Sequence, residues 1–576
     1  MTHILVAVAW PYANGPRHIG HIAGFAVPSD IFARYQRMKG NQVLMVSGTD
    51  EHGTPILVQA QKEGLSPQAL SLKYHEVITE DLKDLGMSYD IFTRTSTLTH
   101  EKAVQELFSS SLENGYITLG EQKVAISPLS GRTLPDRYIE GTCPFCGAKD
   151  ARGDQCDECG KELDPTDLIN PRSKIDGSVP IFTSKEHYFL DLPALKPYLE
   201  KWLEGCKGWR GPVMAFAKAL LKDAKPRAIT RDIDWGVPLP PGPFAADPNK
   251  RFYVWFDALV GYLSSSLEWA KREGKEEEWE KWWKVDAESY YFMGKDNITF
   301  HTEIWPAILM ASSGVKPEDK PSSFGKLNLP TQVVASGFMT MKGAKFSSSR
   351  GVVVYLRDLL KTCQPDAIRY FIAACGPEKE DSDFSFEEME RKINGELVAS
   401  WGNLVNRVCT LIYRNFGKIP SPDHLDEGGE ALLSSTLKGF EEVGSLIEKN
   451  SLHEALSKIM RLAGEANRYL SDAEPWKAEE PQKSRILFAA AQAVSDLNVM
   501  LSPFLPFSSP KVFSFLGLPS SPSLPKVRKV EEEGEEWSEI CGPYEAEKWE
   551  RHPVAPSYPV PEPHALFRKF EAKNEA

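Results

Sequence analysis

No run of about 18 apolar residues occurs anywhere in the chain, so its sequence offers no membrane-spanning helix. No basic stretch precedes an apolar segment at the N-terminus. The chain leads straight into the apolar run Ile4 to Ala9, of strand length, and no signal peptide is expected. Positive charge is in deficit. With 67 Lys+Arg against 80 Asp+Glu the formal net charge is −13, which argues against general coating of nucleic acid and confines such contact to a local basic or aromatic site. A disulfide framework is also missing. The nine cysteines are odd in number and four are clustered, which fits a reducing, cytoplasmic compartment and a metal site. What is present is ordinary globular material, 41% hydrophobic and 26% charged over 576 residues, enough for three or four domains.

The most informative residues are His18-Ile19-Gly20-His21. They follow Ile4 to Ala9 and the turn Pro11-Tyr12-Ala13-Asn14-Gly15-Pro16, and a helical pattern through Phe25, Ile31, Phe32 and Tyr35 comes after them. The pattern is strand, Gly/Pro turn, helix start. Unpaired N–H groups and the positive end of the helix dipole suit a phosphate at such a place. Two imidazoles there can hydrogen-bond phosphate oxygens as charge builds in a transition state. Gly20 leaves room for a flat adenine. Taken alone, H-x-G-H reads equally as a helix start with two surface histidines.

Cys143-Pro-Phe-Cys146 and Cys156-Asp-Glu-Cys159 are separated by nine residues, and glycines follow both pairs, at Gly147 and Gly160. Two thiolates two residues apart can face one ion from a tight turn, and two such knuckles complete a tetrahedral Cys₄ site suited to one structural zinc. A redox pair or chance spacing are the alternatives, and a second pair flanked alike disfavours both. A closed site has no open position, so no catalysis is assigned to it. Cys206, Cys363, Cys375, Cys409 and Cys541 read as ordinary core or surface residues.

Residues 1–115 read as the first half of an α/β domain, with a second strand, Val43 to Ser47, ending in Gly48-Thr49-Asp50-Glu51-His52-Gly53. Polar residues at the C-terminal end of a parallel strand are where open α/β sheets bind ligands. Residues 116–230 break the pattern and read as an insertion bearing the cysteine knuckles. The α/β character returns over 231–325, through Phe252 to Ala258 and Tyr290 to Asp296; between these, Lys271 to Lys284 is expected to be a solvated helix with exposed tryptophans. A cationic loop lies in 326–388. Residues 389–510 read as all-helical: Ile393, Leu397, Trp401, Leu404, Val408 and Leu411 keep helical spacing, as do Leu452, Leu456, Ile459, Ala463, Ala466 and Leu470, and a third helix covers Arg485 to Leu501. The remainder, 511–576, is expected to be a Pro/Ser linker, an acidic run Glu531 to Glu536, and an extended tail, docked or disordered.

The cationic loop is Met341-Lys342-Gly343-Ala344-Lys345-Phe346-Ser347-Ser348-Ser349-Arg350-Gly351. A loop of this kind can close over polyphosphate and stabilise departing pyrophosphate. By itself it reads more simply as a basic surface turn.

Together the two loops resemble the paired signatures of the class I aminoacyl-tRNA synthetases, HIGH at His18 to His21 and KFSSS at Lys345 to Ser349. PYANGPRHIGH, GTDEHGTP, the Cys₄ knuckles, RDIDWGVPLP, VWFDALVGY, GKDNITFH and NLVNR narrow the resemblance to the methionyl-tRNA synthetases, over roughly residues 3 to 505 and in the family's order. The fold this implies is a class I Rossmann-type catalytic domain with a zinc-bearing insertion, followed by an all-α anticodon-binding bundle. The implied activity is ATP-dependent activation of L-methionine to methionyl-adenylate and transfer to the 3′ end of tRNA(Met), initiator and elongator, with Mg²⁺ accompanying ATP.

The resemblance also implies roles for single residues. His18, His21, Lys345 and Arg231 carry catalysis; Gly20, Gly294, Asp296, Ser347 and Ser348 join His18, His21 and Lys345 around ATP. Asp50 stands by the methionine ammonium, and Trp10, Tyr12, Trp255, Ala258, Tyr262 and His301 form an aromatic pocket suited to a thioether. Asn403, Arg407 and Trp476 read the CAU anticodon by stacking and base-edge bonds. Three departures stand out. The usual second lysine of the KMSKS form is replaced by Ser348, leaving Lys342 or Arg350 to supply charge; Trp10 stands where leucine is common; Leu259 stands where proline is common. With no further domain after the bundle, a monomer is expected. The other readings are a non-catalytic tRNA-binding protein on the same scaffold, prompted by Ser348, and a class I synthetase for another amino acid.

Overall fold

The computed structural model describes residues 1–576 except 130, 132, 154, 157, 160, 162, 245–246, 285, 347–352, 521–523 and 573–576. Five parallel strands form the heart of its central sheet: β1 (His3–Val8), β2 (Gln42–Thr49), β3 (Ile91–Arg94), β4 (Ala287–Gly294) and β5 (Gln332–Ser336). Their spatial order is β3-β2-β1-β4-β5. β1 is buried from Ile4 to Val8 because both faces are covered, which is why it reads as an unbroken apolar run. Parallel strands require crossovers, and Val27–Met38 and Trp305–Ser313 supply two of them as helices. Ile31 and Phe32 of the first are fully buried, each contributing about 1.5–3 kcal/mol. The strand order reverses between β1 and β4, so a crevice opens beyond their C-terminal ends.

The expected insertion, 116–230, divides in two. Ile117–Ile126 and Ile181–Leu190 pair antiparallel along their whole length and form a ribbon, and the chain between them holds the cysteine knuckles. The helices Leu192–Gly205 and Gly211–Lys222 instead share an apolar core with Leu5 and Ala7 of β1. The stretch Lys271 to Lys284 is not a solvated helix with exposed tryptophans. The long helix Val254–Arg272 ends within it, and Trp279, Trp282 and Trp283 are all buried. Trp282 donates to the Gln42 carbonyl at 3.0 Å and Trp283 to Ser266 at 2.9 Å, so each indole N–H keeps a partner inside.

The helical region contains Asn403–Phe416, Leu452–Ala473 and Gln482–Leu501, as the spacing predicts, together with Glu427–Glu448. The last was not legible because four glycines dilute its pattern. Those glycines allow close approach: a Cβ on Gly439 would lie 2.7 Å from Leu462, and one on Gly444 2.7 Å from the Tyr35 hydroxyl.

The C-terminal segment departs most from expectation. The acidic run lies within a hairpin, β6 (Lys526–Glu532) and β7 (Glu535–Cys541), joined by Glu533 and Gly534 at φ of 53° and 81°. β7 pairs antiparallel with β3, Ile540 opposite Phe92, and completes a seven-stranded sheet. Beyond it the chain is docked: Trp549 donates to the Met38 and Phe440 carbonyls, and Phe567 and Phe570 are buried.

One buried ionic knot fastens the bundle to the sheet domain. Asp30 accepts from Arg34 at 2.7 Å and from Arg369 at 2.6 Å, and Arg369 also donates to the carbonyls of Pro503 and Phe504. Burial opposes ionisation of Asp30, but Arg34 and Arg369 win and hold its carboxyl well below the usual range. Replacing Asp30 by alanine strands two buried guanidinium groups and is expected to destabilise the protein by about 3–5 kcal/mol, read as a lower midpoint in urea.

Candidate active site

The ends of β1 and β2 run on side by side past the sheet. Asp50 donates its N–H to the Pro11 carbonyl and Ala13 donates to the Asp50 carbonyl, both at 2.9 Å, so Trp10 to Tyr12 lie against Asp50 to His52. The first signature follows. Ile19–His21 is a single helical turn, continued by a π-helical turn Ile22–Ala26 and then by Val27–Met38. The ring centroids of His18 and His21 lie 3.7 Å apart, the planes tilted by 32°. Among the described residues neither Nδ1 has a hydrogen-bond partner, although both atoms are buried. Burial, helped by the charge of Arg17, lowers His18 to about 3 and carries His21 well below its ordinary value, so both are neutral at physiological pH.

The second signature is brought to the first through backbone. His18 bridges Tyr355, Ile19 donates to the Val354 carbonyl and Leu356 to the Arg17 carbonyl, both at 2.9 Å. The loop leaves a hairpin whose turn, Lys342-Gly343, has φ of 54° and 73°, and Asp383 pins it by accepting from Gly343 N–H at 3.0 Å and Thr340 at 2.7 Å. Lys345 ends this hairpin in the backbone; Ser347, Ser348 and Arg350 lie outside the described residues. Phe346 stacks on His18 at 5.1 Å, and a Cβ on Gly20 would sit 3.0 Å from its ring. Here the bare face of Gly20 admits the phenylalanine of the loop, where the sequence reading placed an adenine.

On the other side of the switch point, Gly294 and Asp296 follow β4. A side chain at Gly294 would lie 2.8 Å from the Asp296 carboxylate, so the glycine lets Asp296 fold back, where Asn297 donates to it at 3.1 Å. An aromatic wall is formed by Val254–Arg272 and the turn after β4. Tyr262 lies 2.7 Å from His301 Nε2, and His301 Nδ1 lies 2.8 Å from the Asn297 carbonyl. A carbonyl only accepts, so Nδ1 carries the proton and Nε2 accepts from the tyrosine. Trp255 packs on Phe300 at 4.7 Å, and Ala258 is partly exposed one turn before Tyr262. Trp10 wedges between two glycines: a Cβ on Gly48 would come within 2.4 Å of its ring and one on Gly261 within 2.7 Å.

Arg231 lines an open pocket together with Tyr12, Gly53 and Tyr253, where the ribbon meets the crevice. It is ion-paired to Asp136 at 3.1 Å and stacked on Tyr253 at 3.8 Å. The expected catalytic arginine thus makes its contacts with the insertion and its own strand.

Sequence reasoning passed over a buried hub beside Asp50. Asp257 accepts from His52 at 2.7 Å and from His100 at 2.6 Å. Burial opposes its ionisation, yet His52 and His100 hold it well below the ordinary range. Its signal was available, since His52 and Asp257 both sit inside strings already singled out, GTDEHGTP and VWFDALVGY.

The four clustered sulfurs lie within 4.8 Å of one another, Cys143 to Cys159 at 3.9 Å and Cys146 to Cys156 at 3.6 Å. Tetrahedral thiolate bonds of about 2.3 Å require edges of about 3.8 Å, so the set fits one metal ion. Burial opposes the Cys143 thiolate, but the N–H groups of Cys146 and Phe145 bring it down to about 7. In the bundle, Arg407 lies 5.0 Å above the ring of Trp476, which is 46% exposed and therefore not a core residue; Asn403 is exposed one turn before Arg407.

Residues 4–409 match the family described as tRNA synthetases class I (M). The methionine–tRNA ligase of Bifidobacterium adolescentis is 56% identical over 99% of this chain and 94% of its own length, and that of Kineococcus radiotolerans 54% identical over 99% and 98%. The chain belongs to the methionine–tRNA ligase family of class I tRNA synthetases. Among solved structures, Mycobacterium tuberculosis methionyl-tRNA synthetase bound by methionyl-adenylate superposes with a TM-score of 0.76 at 22% identity, covering 99% of this chain and 100% of that one, which shows the same fold. The Rossmann-like sheet and the C-terminal helical region accord with that fold. No described helix is long and apolar enough to cross a membrane.

The aromatic wall carries a pH signature. Burial lowers His301 to about 4 from an ordinary 6.5, so the unfolded chain takes up its proton first as pH falls and stability declines below about 6.5. At pH 5 this amounts to about 2 kcal/mol. A His301→Gln variant should lose less stability between pH 7 and pH 5 than the wild type, measured as urea midpoints at both values.

Proposed function

We propose that the crevice joins L-methionine to ATP and then to tRNA through the residues grouped around β1, β2 and β4. The observation that carries the reading is the convergence of His18, His21, Phe346 and Tyr355 on the C-terminal side of the switch point. A methionine carboxylate oxygen attacks the α-phosphorus, the bond to the β-phosphate breaks, and pyrophosphate leaves. The 3′-terminal ribose hydroxyl of tRNA then attacks the carbonyl carbon, loses its proton and displaces AMP. No covalent enzyme intermediate is required.

His18 and His21 act as neutral hydrogen-bonding groups that favour the charge of the transition state over that of the ground state. Lys345 and the hydroxyls of Ser347 and Ser348 hold the pyrophosphate side, with Lys342 or Arg350 supplying the charge of the missing second lysine. Asp296 and Gly294 border the ribose and adenine. Asp50 binds the methionine ammonium. Trp10, Tyr12, Trp255, Ala258, Tyr262 and His301 enclose the thioether, with Tyr262 and His301 locked to each other so that the pocket keeps its shape. Arg231, through Asp136, ties the insertion to the same cavity and reaches the reacting groups once substrate fills it. Mg²⁺ carried with ATP would supply neutralisation of oxygen charge on the leaving group. Cys143, Cys146, Cys156 and Cys159 would hold a structural zinc at the tip of the insertion. Exposed Trp476 beneath Arg407, with Asn403 beside them, offers a stacking platform for the unpaired bases of the CAU anticodon, in initiator and elongator tRNA alike.

Pyrophosphate exchange with purified protein and a panel of amino acids tests the reading. Exchange is expected with methionine alone, reduced about 100-fold or more in His21→Ala, and reduced in both Lys342→Ala and Lys345→Ala. Exchange with no amino acid at all, from folded protein, would leave a tRNA-binding protein on a synthetase scaffold. An unchanged rate in Lys342→Ala would remove that lysine from the loop chemistry.

Metal content gives a separate check. One zinc per chain is expected by elemental analysis, and Cys146→Ser should lose it and unfold at lower temperature.

A further inference from the structure

Thr49 and Glu51 flank Asp50, and the side chains of both lead back to one distant element, the C-terminal hairpin β6–β7. The Glu51 carboxylate accepts from Arg94 Nη2 at 2.8 Å and from its Nε at 3.0 and 3.1 Å. Arg94 and Glu51 have no exposed side-chain surface. The other end of the same guanidinium donates to Glu535 beside the hairpin turn, and its face stacks 5.1 Å from the ring of Trp537 on β7. Glu535 is itself steadied by Gln68, which donates to its second oxygen at 3.1 Å.

The second route starts at Thr49. Its Oγ1 lies 2.7 Å from His75 Nδ1, and His75 Nε2 donates to the Ser538 carbonyl of β7 at 2.7 Å. Glu76 fixes that point by accepting from the Ser538 N–H at 2.6 Å and its hydroxyl at 2.7 Å. Both routes run through buried polar groups, which transmit displacement poorly to water and well to one another. The carboxylate between them is confined further, accepting from the His52 N–H at 3.3 Å. A surface hairpin needing only to cap a sheet edge would require none of this. Its ladder to β3 pairs only Ile540 with Phe92 and Cys541 with Ile91, and the contacts of Glu535 and Ser538 lie beyond it.

We propose that hairpin β6–β7 is a positioning element of the methionine site: Glu535, acting through Arg94 on Glu51, sets where the Asp50 carboxylate stands. Glu535 touches no substrate. It works some 480 residues downstream of the loop it orients, so the C-terminal segment and methionine affinity are coupled. The inference rests on the assignment of Asp50 to the methionine ammonium.

The test is steady-state pyrophosphate exchange by full-length Glu535→Gln and Arg94→Lys, with KM for methionine and for ATP measured separately beside thermal midpoints. Glu535→Gln keeps the shape of a side chain that is 21% exposed and is expected to fold. Its KM for methionine should rise about five-fold, the size of one weakened charged hydrogen bond, with KM for ATP and the midpoint unchanged. Arg94→Lys should shift the same constant further. An unchanged KM for methionine in Glu535→Gln overturns the proposal, as does a parallel rise of both constants with a lower midpoint, the mark of a purely structural role. Asp50→Asn is measured alongside by methionine titration of tryptophan fluorescence. If it binds methionine like the wild type, it is the Asp50 assignment that fails; if it loses binding while Glu535→Gln keeps a normal KM, it is the coupling.

Discussion

A parallel sheet must be covered on both faces, and everything in this protein follows from that. Helices seal the two faces of β1 to β5, so polar chemistry can stand only at the strand ends. Reversal of strand order between β1 and β4 splits the helices apart at the C-terminal side and leaves one crevice. Trp10, Asp50 and Asp296 each follow the end of a different strand, or nearly so, and for that reason they converge although the sequence scatters them. The insertion, the KFSSS hairpin and the bundle are all attached at loops on this rim or packed behind it.

Charge is organised around that crevice by burial. His18 and His21 lie too close together, and too far from water, for both to protonate, so they stand at the crevice as neutral imidazoles. Deeper in, Asp257 stays ionised because two histidines enclose it, and Glu51 because Arg94 does. Burial alone would neutralise each of these carboxylates; paired, they become rigid struts. The same device at Asp30 and Arg369 fixes the bundle to the sheet domain. Tyr35 of the helix that leaves the first signature and Lys39 at its end also reach Glu448, so the helical region is joined to the sheet domain at several points.

The sequence was legible wherever a residue type is forced by local geometry. Four cysteines in two matched knuckles, a glycine-bearing turn between an apolar strand and two histidines, and helical spacing from Leu452 to Leu470 each have few alternative explanations. It was illegible where burial depends on a partner far away. The tryptophans of the 279–283 stretch sit among lysines and glutamates and look solvated, yet their indole N–H groups find Gln42 and Ser266. The glycines of Glu427–Glu448 look like helix breakers, and tertiary packing against Leu462 and Tyr35 needs them bare. Glu531 to Glu536 reads as an acidic linker because charge hides the two-residue alternation that turns Trp537 and Val530 inward.

By itself the sequence determined the class of chemistry, because the paired signatures, the aromatic positions and the thiolate set are requirements of phosphate, thioether and metal that only certain side chains meet. The tertiary structure decided how those groups are held. It placed Phe346 over Gly20, turned Arg231 toward Asp136, and sent the last strand back to the edge beside β3, where Glu535 and Ser538 reach the neighbours of Asp50. Side-chain identity is a local property and can be read along the chain. Desolvation and pairing are properties of the whole fold, and they alone set which charges survive and which way they point.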